Sequence, residues 1–430
     1  MGWDAVVERF LKRSPLTVMT HLTLRRALAA PWLDALFAQH AERQYVRSLL
    51  FSTVVDLLAS VTFGFRPSIH AAVKAVGATL PVSLTALYDK INRTEPALVR
   101  AMVRDGAQRL AGVLAALTAG AGGGGGGYTV RIVDGNHLPA TEKRLKALRG
   151  LRGAALPGHT LVVYDPQLGL AVDIVPCEDA HTQERALTEA LLAMAVPGQL
   201  WVADRNFSTT RLFEGFADQG AVFIVRKHGR SPTVVESGTP RRAGRTATGT
   251  VDEQPVTITR SDGRTLPLRQ VRVHLDAPTQ DGDTTLVLLT NVPALRLTAR
   301  AIAEHYRGRW TIEGMFGELE AALAGELRTL GQPKAALFAF GHVAVEIRAT
   351  YQGFAIATDD TDWAPWDALS DVRFAAVLRK IATGLNIATV RKSRRAPKSP
   401  APKGYVARSV AQRHHSTARL MAAARTKKAP

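Results

Sequence analysis

Three acidic residues stand where their surroundings make chemistry a live reading. Asp134 follows the apolar run VRIV, and Asp204 closes the run LWVA. Either one alone reads as a turn or helix cap at a strand end. Glu313 lies inside YRGRWTIEGMFGELE, Tyr306 to Glu320. On a helix, Tyr306, Arg309 and Glu320 fall within about 40° of Glu313, on the margin of the apolar stripe made by Ile312, Phe316 and Leu323. Glu304 falls on the opposite, solvated side. Taken alone, Arg309 and Glu313 are an ordinary i, i+4 surface pair. Placed together, the three acids point elsewhere. Two carboxylates in one site repel unless one is protonated or a cation lies between them. Hard divalent ions such as Mg²⁺ take oxygen ligands and suit such a pair.

The elements that must position these acids are legible in the periodicity. YTVRIVDGNHL, HTLVVYDPQ and LAVDIVPCE read as strands at hairpin spacing. HTQERALTEALLAMA then reads as a helix, QLWVADRNF as a strand, TTRLFEGFADQG as a helix and AVFIVRKHG as a strand. Three strands, helix, strand, helix, strand is the order of an RNase H-like α/β domain. In that order the strands carrying Asp134 and Asp204 are parallel neighbours, about 4.8 Å apart. From 231 to 293 the helical pattern disappears and Gly- and Asp-bearing turns join short strands, which reads as a β-rich insertion. Helical periodicity returns from 294 and carries the Glu313 segment. The expected fold is α/β, an RNase H-like mixed sheet with a β-rich insertion, preceded by an all-helical N-terminal domain. The expected core occupies 128–230 and 294–385.

Residues 1–118 are helical in pattern. Within them PSIHAAVKAVGATLPVSLTALYDKINR is compatible with a DNA-reading helix-turn-helix carrying Ser83, Thr85, Asp89 and Lys90, or with a plain helical hairpin. The glycine run of 119–127 is followed by no Lys-Ser/Thr pair, so it reads as a flexible linker rather than a phosphate loop. The balance of 55 Lys+Arg against 37 Asp+Glu, net +18, argues for a polyanionic partner, nucleic acid first. No acid follows Asp371, and 386–430 reads as a basic, structureless tail, either solubilising or DNA-contacting. The single cysteine, Cys177, excludes a disulfide framework and a Cys-rich zinc site. No signal peptide or membrane span is apparent, so a cytoplasmic, nucleoid-associated protein is expected. No G-x-S-x-G elbow or HExxH motif is present, and His137, His159 and His181 read as structural or surface residues.

The blocks IVDGNHL, VADRNFST and Y-x2-R-x3-E (Tyr306, Arg309, Glu313), in this order and with the β-rich insertion between the last two, resemble bacterial insertion-sequence transposases of the DDE class, in the family typed by insertion sequence four. The resemblance implies that Asp134, Asp204 and Glu313 are the catalytic carboxylates and bind two Mg²⁺ ions, with Mn²⁺ able to substitute. It implies cleavage at transposon ends followed by strand transfer into target DNA, by a dimer in the synaptic complex. Tyr306 and Arg309 would contact the DNA backbone, with Arg205 and Asn206 as further contacts. The chain departs from the family pattern at Glu320, which stands where E-x6-K has its lysine. No Phe, Trp or Tyr lies between Ile224 and His305 to stack on a displaced base; Trp310 reads either as a substitute or as a packed helix tryptophan. A DNA-binding relative without cleavage, and another RNase H-like nuclease, remain as alternatives.

Overall fold

The computed structural model describes residues 26–44, 48–62, 66–77, 80–117, 126–141, 145–149, 153–229, 231–279, 281–323, 328–353 and 414–426. Its centre is one ten-stranded mixed sheet. Strands β1 (Thr129–His137), β3 (His159–Asp165) and β4 (Leu170–Cys177) pair antiparallel, with β3 in the middle. On its other side β1 runs parallel to β5 (Gln199–Ala203), which runs parallel to β6 (Val222–Arg226). The 231–293 region does not form a separate sheet. Its β11 (Thr285–Thr290) pairs antiparallel with β6, then β10 (Thr265–Leu275) and β9 (Gly249–Thr259) follow, and β7 (Val235–Glu236) and β8 (Arg241–Thr246) both pair with β9.

Strand alternation splits the core in two. Ile132, Val162, Leu200, Val202 and Ile224 face one apolar cluster, while Val133, Leu161, Val163, Trp201 and Phe223 face the other. The second face is covered by α7 (Thr210–Asp218), which follows a short α6 (Thr188–Leu192) in this layer. Phe213 stacks on Phe223 with centroids 4.5 Å apart, and Phe216 on Trp201 at 5.2 Å. Such aromatic pairs add about 0.5–1.5 kcal/mol beyond their area.

The first face is covered by helices from both ends of the chain. Helices α1 (Ala30–His40), α2 (Phe51–Thr62), α3 (Ile69–Val76), α4 (Leu84–Arg93) and α5 (Pro96–Leu117) precede the sheet; α8 (Ala299–Arg307), α9 (Thr311–Leu323) and α10 (Pro333–Gly353) follow it. They share one continuous core with the sheet, so the leading helices are packed onto the sheet rather than set apart from it. Gly341 of α10 lets α5 close in: a Cβ there would lie 2.5 Å from Val99 Cγ1.

In the candidate helix-turn-helix, Ser68 and Ser83 cap α3 and α4, and Gly77 ends α3 at a φ of 63°. Leu87 and Ile91 turn α4 into the bundle. Thr85 and Asp89 are exposed. Lys90 departs from a DNA-reading role, because its Nζ donates to Leu49 O at 3.0 Å and lies over the Phe37 ring.

Most of the glycine run and residues 354–413 lie outside the described residues. The last part of the basic tail differs from a structureless one. Residues 414–426 carry β12 (His415–Ser416), parallel to β2 (Ala155–Leu156), and α11 (Thr417–Thr426). Arg419 donates to Asp179 at 2.7 Å, and His181 Nε2 meets His414 O at 3.0 Å. Among the described residues no helix is long and apolar enough to cross a membrane.

Candidate active site

The register of β1 and β5 pairs Val133 with Ala203. Asp134 and Asp204, one residue further on, therefore stand side by side where β5 and its pairing with β1 end, while β1 itself runs on to His137. Each follows a residue of the second face, so each shares the first face with Ile132 and Val202, where α8 and α9 lie. The backbone also uses both acids locally. Asp134 Oδ1 accepts from Gly135 N at 2.9 Å, and Asp204 Oδ1 accepts from Asn206 N at 2.8 Å, capping a 3-10 turn over Arg205–Phe207.

The segment that reads as one continuous helix from Tyr306 to Glu320 is broken by a 3-10 turn at Gly308–Trp310. The turn swings Arg309 inward until its side chain is 9% exposed, while Glu313 stays 43% exposed. Arg309 then joins the two acids, donating to Asp134 Oδ2 at 2.6 Å and to Glu313 Oε1 at 3.1 Å. The i, i+4 pair is real, but it faces the strand ends instead of bulk water. Burial works against the charge on Arg309, yet Asp134, Tyr306 and Glu313 hold its pKa above the ordinary value. Tyr306 is buried at the same junction, which raises its phenol pKa against the pull of Arg309 and Arg226.

The remaining predicted residues lie at the rim. Trp310 is 58% exposed beneath the Arg309 guanidinium, 5.0 Å from its ring centroid. Arg205 is exposed and reaches Asp281 at 3.4 Å. Asn206 turns its side chain toward Glu184. Glu320 is exposed on α9.

Glu184 is the site residue that the helical pattern hid. It begins a 3-10 turn, Glu184–Leu187, and comes to the strand ends from the face opposite Arg309. A Cβ on Gly135 would overlap its Oε1, so only glycine lets this carboxylate lie against β1 beside Asp134. The signal was present in IVDGNHL, since a glycine inside a strand often marks a close approach. Burial, with Asp204 and Asp134 beside it, pushes the Glu184 carboxyl up to about 7. Burial and Asp204 likewise push Asp134 up to about 6, against the pull of Arg309.

These acids fit a hard divalent cation in kind. All are oxygen donors, and the raised Asp134 and Glu184 carboxyls mark negative charge that the protein itself leaves under-compensated. As placed, no three acidic, His or Cys side chains among the described residues converge enough to hold one ion. Arg309 takes the cation's position against Asp134 Oδ2, and an ion would share that oxygen with it.

A mixed sheet with two aspartates side by side on adjacent parallel strands and a glutamate arriving from a later helix is consistent with an RNase H-like DDE domain. The family model described as a transposase DDE domain matches residues 125–345, from the turn before β1 into α10 and more than half of the chain. The chain belongs to that family, whose members act on DNA. No curated protein matches the sequence.

Proposed function

We propose that the chain is a DNA transposase of the insertion-sequence-four type. It binds the ends of its element, cleaves them with Mg²⁺ or Mn²⁺, and transfers the freed strand to target DNA. The observation that carries this is the β1–β5 register, which sets Asp134 beside Asp204 while Arg309 ties Asp134 to Glu313. When bound, divalent metal supplies activation of the attacking oxygen and stabilisation of the leaving oxygen in an in-line displacement. The protein's own part is to hold the carboxylates and the backbone phosphate in line. Arg309 fixes Asp134 through one guanidinium nitrogen and Glu313 through another, and the buried Tyr306 interacts with it. Arg205, Asn206 and Trp310 edge the opening as backbone and base contacts.

A groove of about 840 Å³ runs past Val130 and Ile132 of β1, on the face that carries Asp134, and is edged by Arg300, His305 and Arg307. It supports a DNA path leading to the strand ends. The leading helices and the basic tail supply further DNA contacts, and synapsis of two ends calls for a dimer acting in the cytoplasm on nucleoid DNA.

Single-turnover cleavage of a labelled element end in Mg²⁺ tests the assignment. Asp134→Asn, Asp204→Asn and Glu313→Gln are each expected to lose at least about 100-fold in rate while retaining DNA binding. Cleavage at the wild-type rate by these variants contradicts it. Binding without cleavage is a second reading, favoured by the exposed Glu320 at the motif-lysine position and by the Arg309–Asp134 pair. Metal-dependent nicking by the wild-type chain rules that reading out.

A further inference from the structure

We infer that a cleft between the leading helices, the start of α10 and the C-terminal helix α11 is a seat for DNA backbone phosphate. This rests on the DNA reading above and assigns a contact which that reading leaves unplaced. The cleft has a volume of about 580 Å³ and is lined by Arg43, Arg93 at the end of α4, Lys334 in the first turn of α10 and Arg425 of α11. Two acids also line it, Glu95 and Glu178, and both are already engaged. Glu95 is buried and accepts from Arg43 N at 3.1 Å and from Gln44 Nε2 at 3.3 Å. Glu178 lies 3.9 Å from Lys334 Nζ. Among the described residues the guanidinium groups of Arg43, Arg93 and Arg425 have no hydrogen-bond or ion-pair partner, and all three residues are exposed. The fold supplies such a partner one turn and a half away, where Arg419 of the same α11 is held by Asp179 at 2.7 Å.

Like charges around one concavity repel, and its low-dielectric walls focus their field on whatever enters. Helix α11 is docked there all the same. It is fastened by the β12–β2 pairing and by Arg419, and turns one helical face to the cleft, Ala418, Met421, Ala422 and Arg425. A basic helix set against a wall that bears Arg43 and Arg93 suits an anion shared by all three. Arginine forks match phosphate oxygens in particular. The place of the cleft selects the source of that phosphate. Glu178 follows the end of β4, where Cys177 pairs with His159, itself opposite His137 at the end of β1. The register runs from Asp134 through Val162 to Ile174. From there Glu178 is about 13 Å further along the strand direction, two strands and about 10 Å across. The leading helices and α10 cover the face of the sheet that Asp134 shares. A duplex with its cleaved phosphate at Asp134 therefore carries other phosphates past the cleft within about half a helical turn.

Binding of the full chain to a labelled duplex of arbitrary sequence, followed across about 50 to 200 mM salt, tests the inference apart from cleavage. Arg93→Ala and Arg425→Ala are each expected to reduce the log–log salt slope by about 1, and the double variant by about 2. Both side chains are exposed and unpaired among the described residues, so neither substitution is expected to lower the melting temperature of the free chain. Arg211→Ala makes the same change in net charge on the opposite face of the sheet, where Glu189 holds the guanidinium at 2.8 Å. It serves as the control and is expected to keep the wild-type slope. If the wild type binds the duplex while the Arg93 and Arg425 variants fall no further than Arg211→Ala, the cleft is a solvated basic surface and the inference fails alone. If the wild type binds no duplex, the DNA reading itself fails and takes the inference with it.

Discussion

At the scale of residues, the site is a balance of charge around one arginine. Asp134 shares the Arg309 guanidinium with Glu313, whereas Glu184 bonds the Asn206 side chain. The folded protein therefore retains protons on Asp134 and Glu184, at about 6 and about 7, that the unfolded chain releases near its ordinary carboxylate values. The sign follows directly. The stability tied to these neutral carboxyls is complete below pH about 4 and is lost as pH rises to about 7. Metal-free Glu184→Gln is accordingly expected to melt above the metal-free wild type at pH 8, by roughly 1–3 kcal/mol, with the gap closing toward pH 4. A melting series from pH 4 to 8 in chelator checks this; a gap that is constant with pH contradicts it. Asp134 and Asp204 were readable because each ends an apolar run. Glu184 was not, because HTQERALTEALLAMA has helical spacing throughout while its first part forms a 3-10 turn held by tertiary contacts with Asn206 and the bare Cα of Gly135.

At the scale of elements, the pattern gave types and order more readily than partners. The strands and helices from β1 to β6 follow the expected sequence, since alternation and 3.6-residue spacing are local properties. That β11 adds to β6, so that the insertion prolongs the same sheet, depends on pairing between residues far apart in the chain and is invisible to a local pattern. The break at Gly308–Trp310 was likewise hidden, and it changes the site, since it turns Arg309 inward while Glu313 remains on the next helix. The packing of α5 on α10 turns on Gly341, which carries a checkable consequence. Gly341→Val forces its side chain against Val99 and is expected to cost about 1–3 kcal/mol by overpacking, read as a lower denaturant midpoint. An unchanged midpoint contradicts close packing of α5 against α10.

At the scale of the whole molecule, a net charge of +18 has to be apportioned between structure and ligand. Much of the arginine in the insertion is already paired within the fold, as in Arg269 and Arg241 with Glu253, Arg245 with Asp276, and Arg260 with Asp218. Arg300 lines the groove beside β1, where it would meet the phosphate backbone on the proposed DNA path. Arg300→Ala is expected to weaken binding to DNA of any sequence and to reduce the log–log salt slope by about 1. Binding titrations between 50 and 200 mM salt check it, in roughly the range where phosphate contacts dominate; an unchanged slope removes Arg300 from the DNA path. The most direct test of the account as a whole asks whether Asp134 holds a metal while DNA is cut. Asp134→Cys replaces a hard oxygen with a softer sulfur, which Mg²⁺ accepts poorly and Mn²⁺ better. Cleavage of a labelled element end by this variant is predicted to fall at least about 100-fold in Mg²⁺ and to recover at least about tenfold in Mn²⁺ relative to the wild type treated alike. Equal cleavage by variant and wild type in Mg²⁺ would show that Asp134 holds no metal there and would contradict the account.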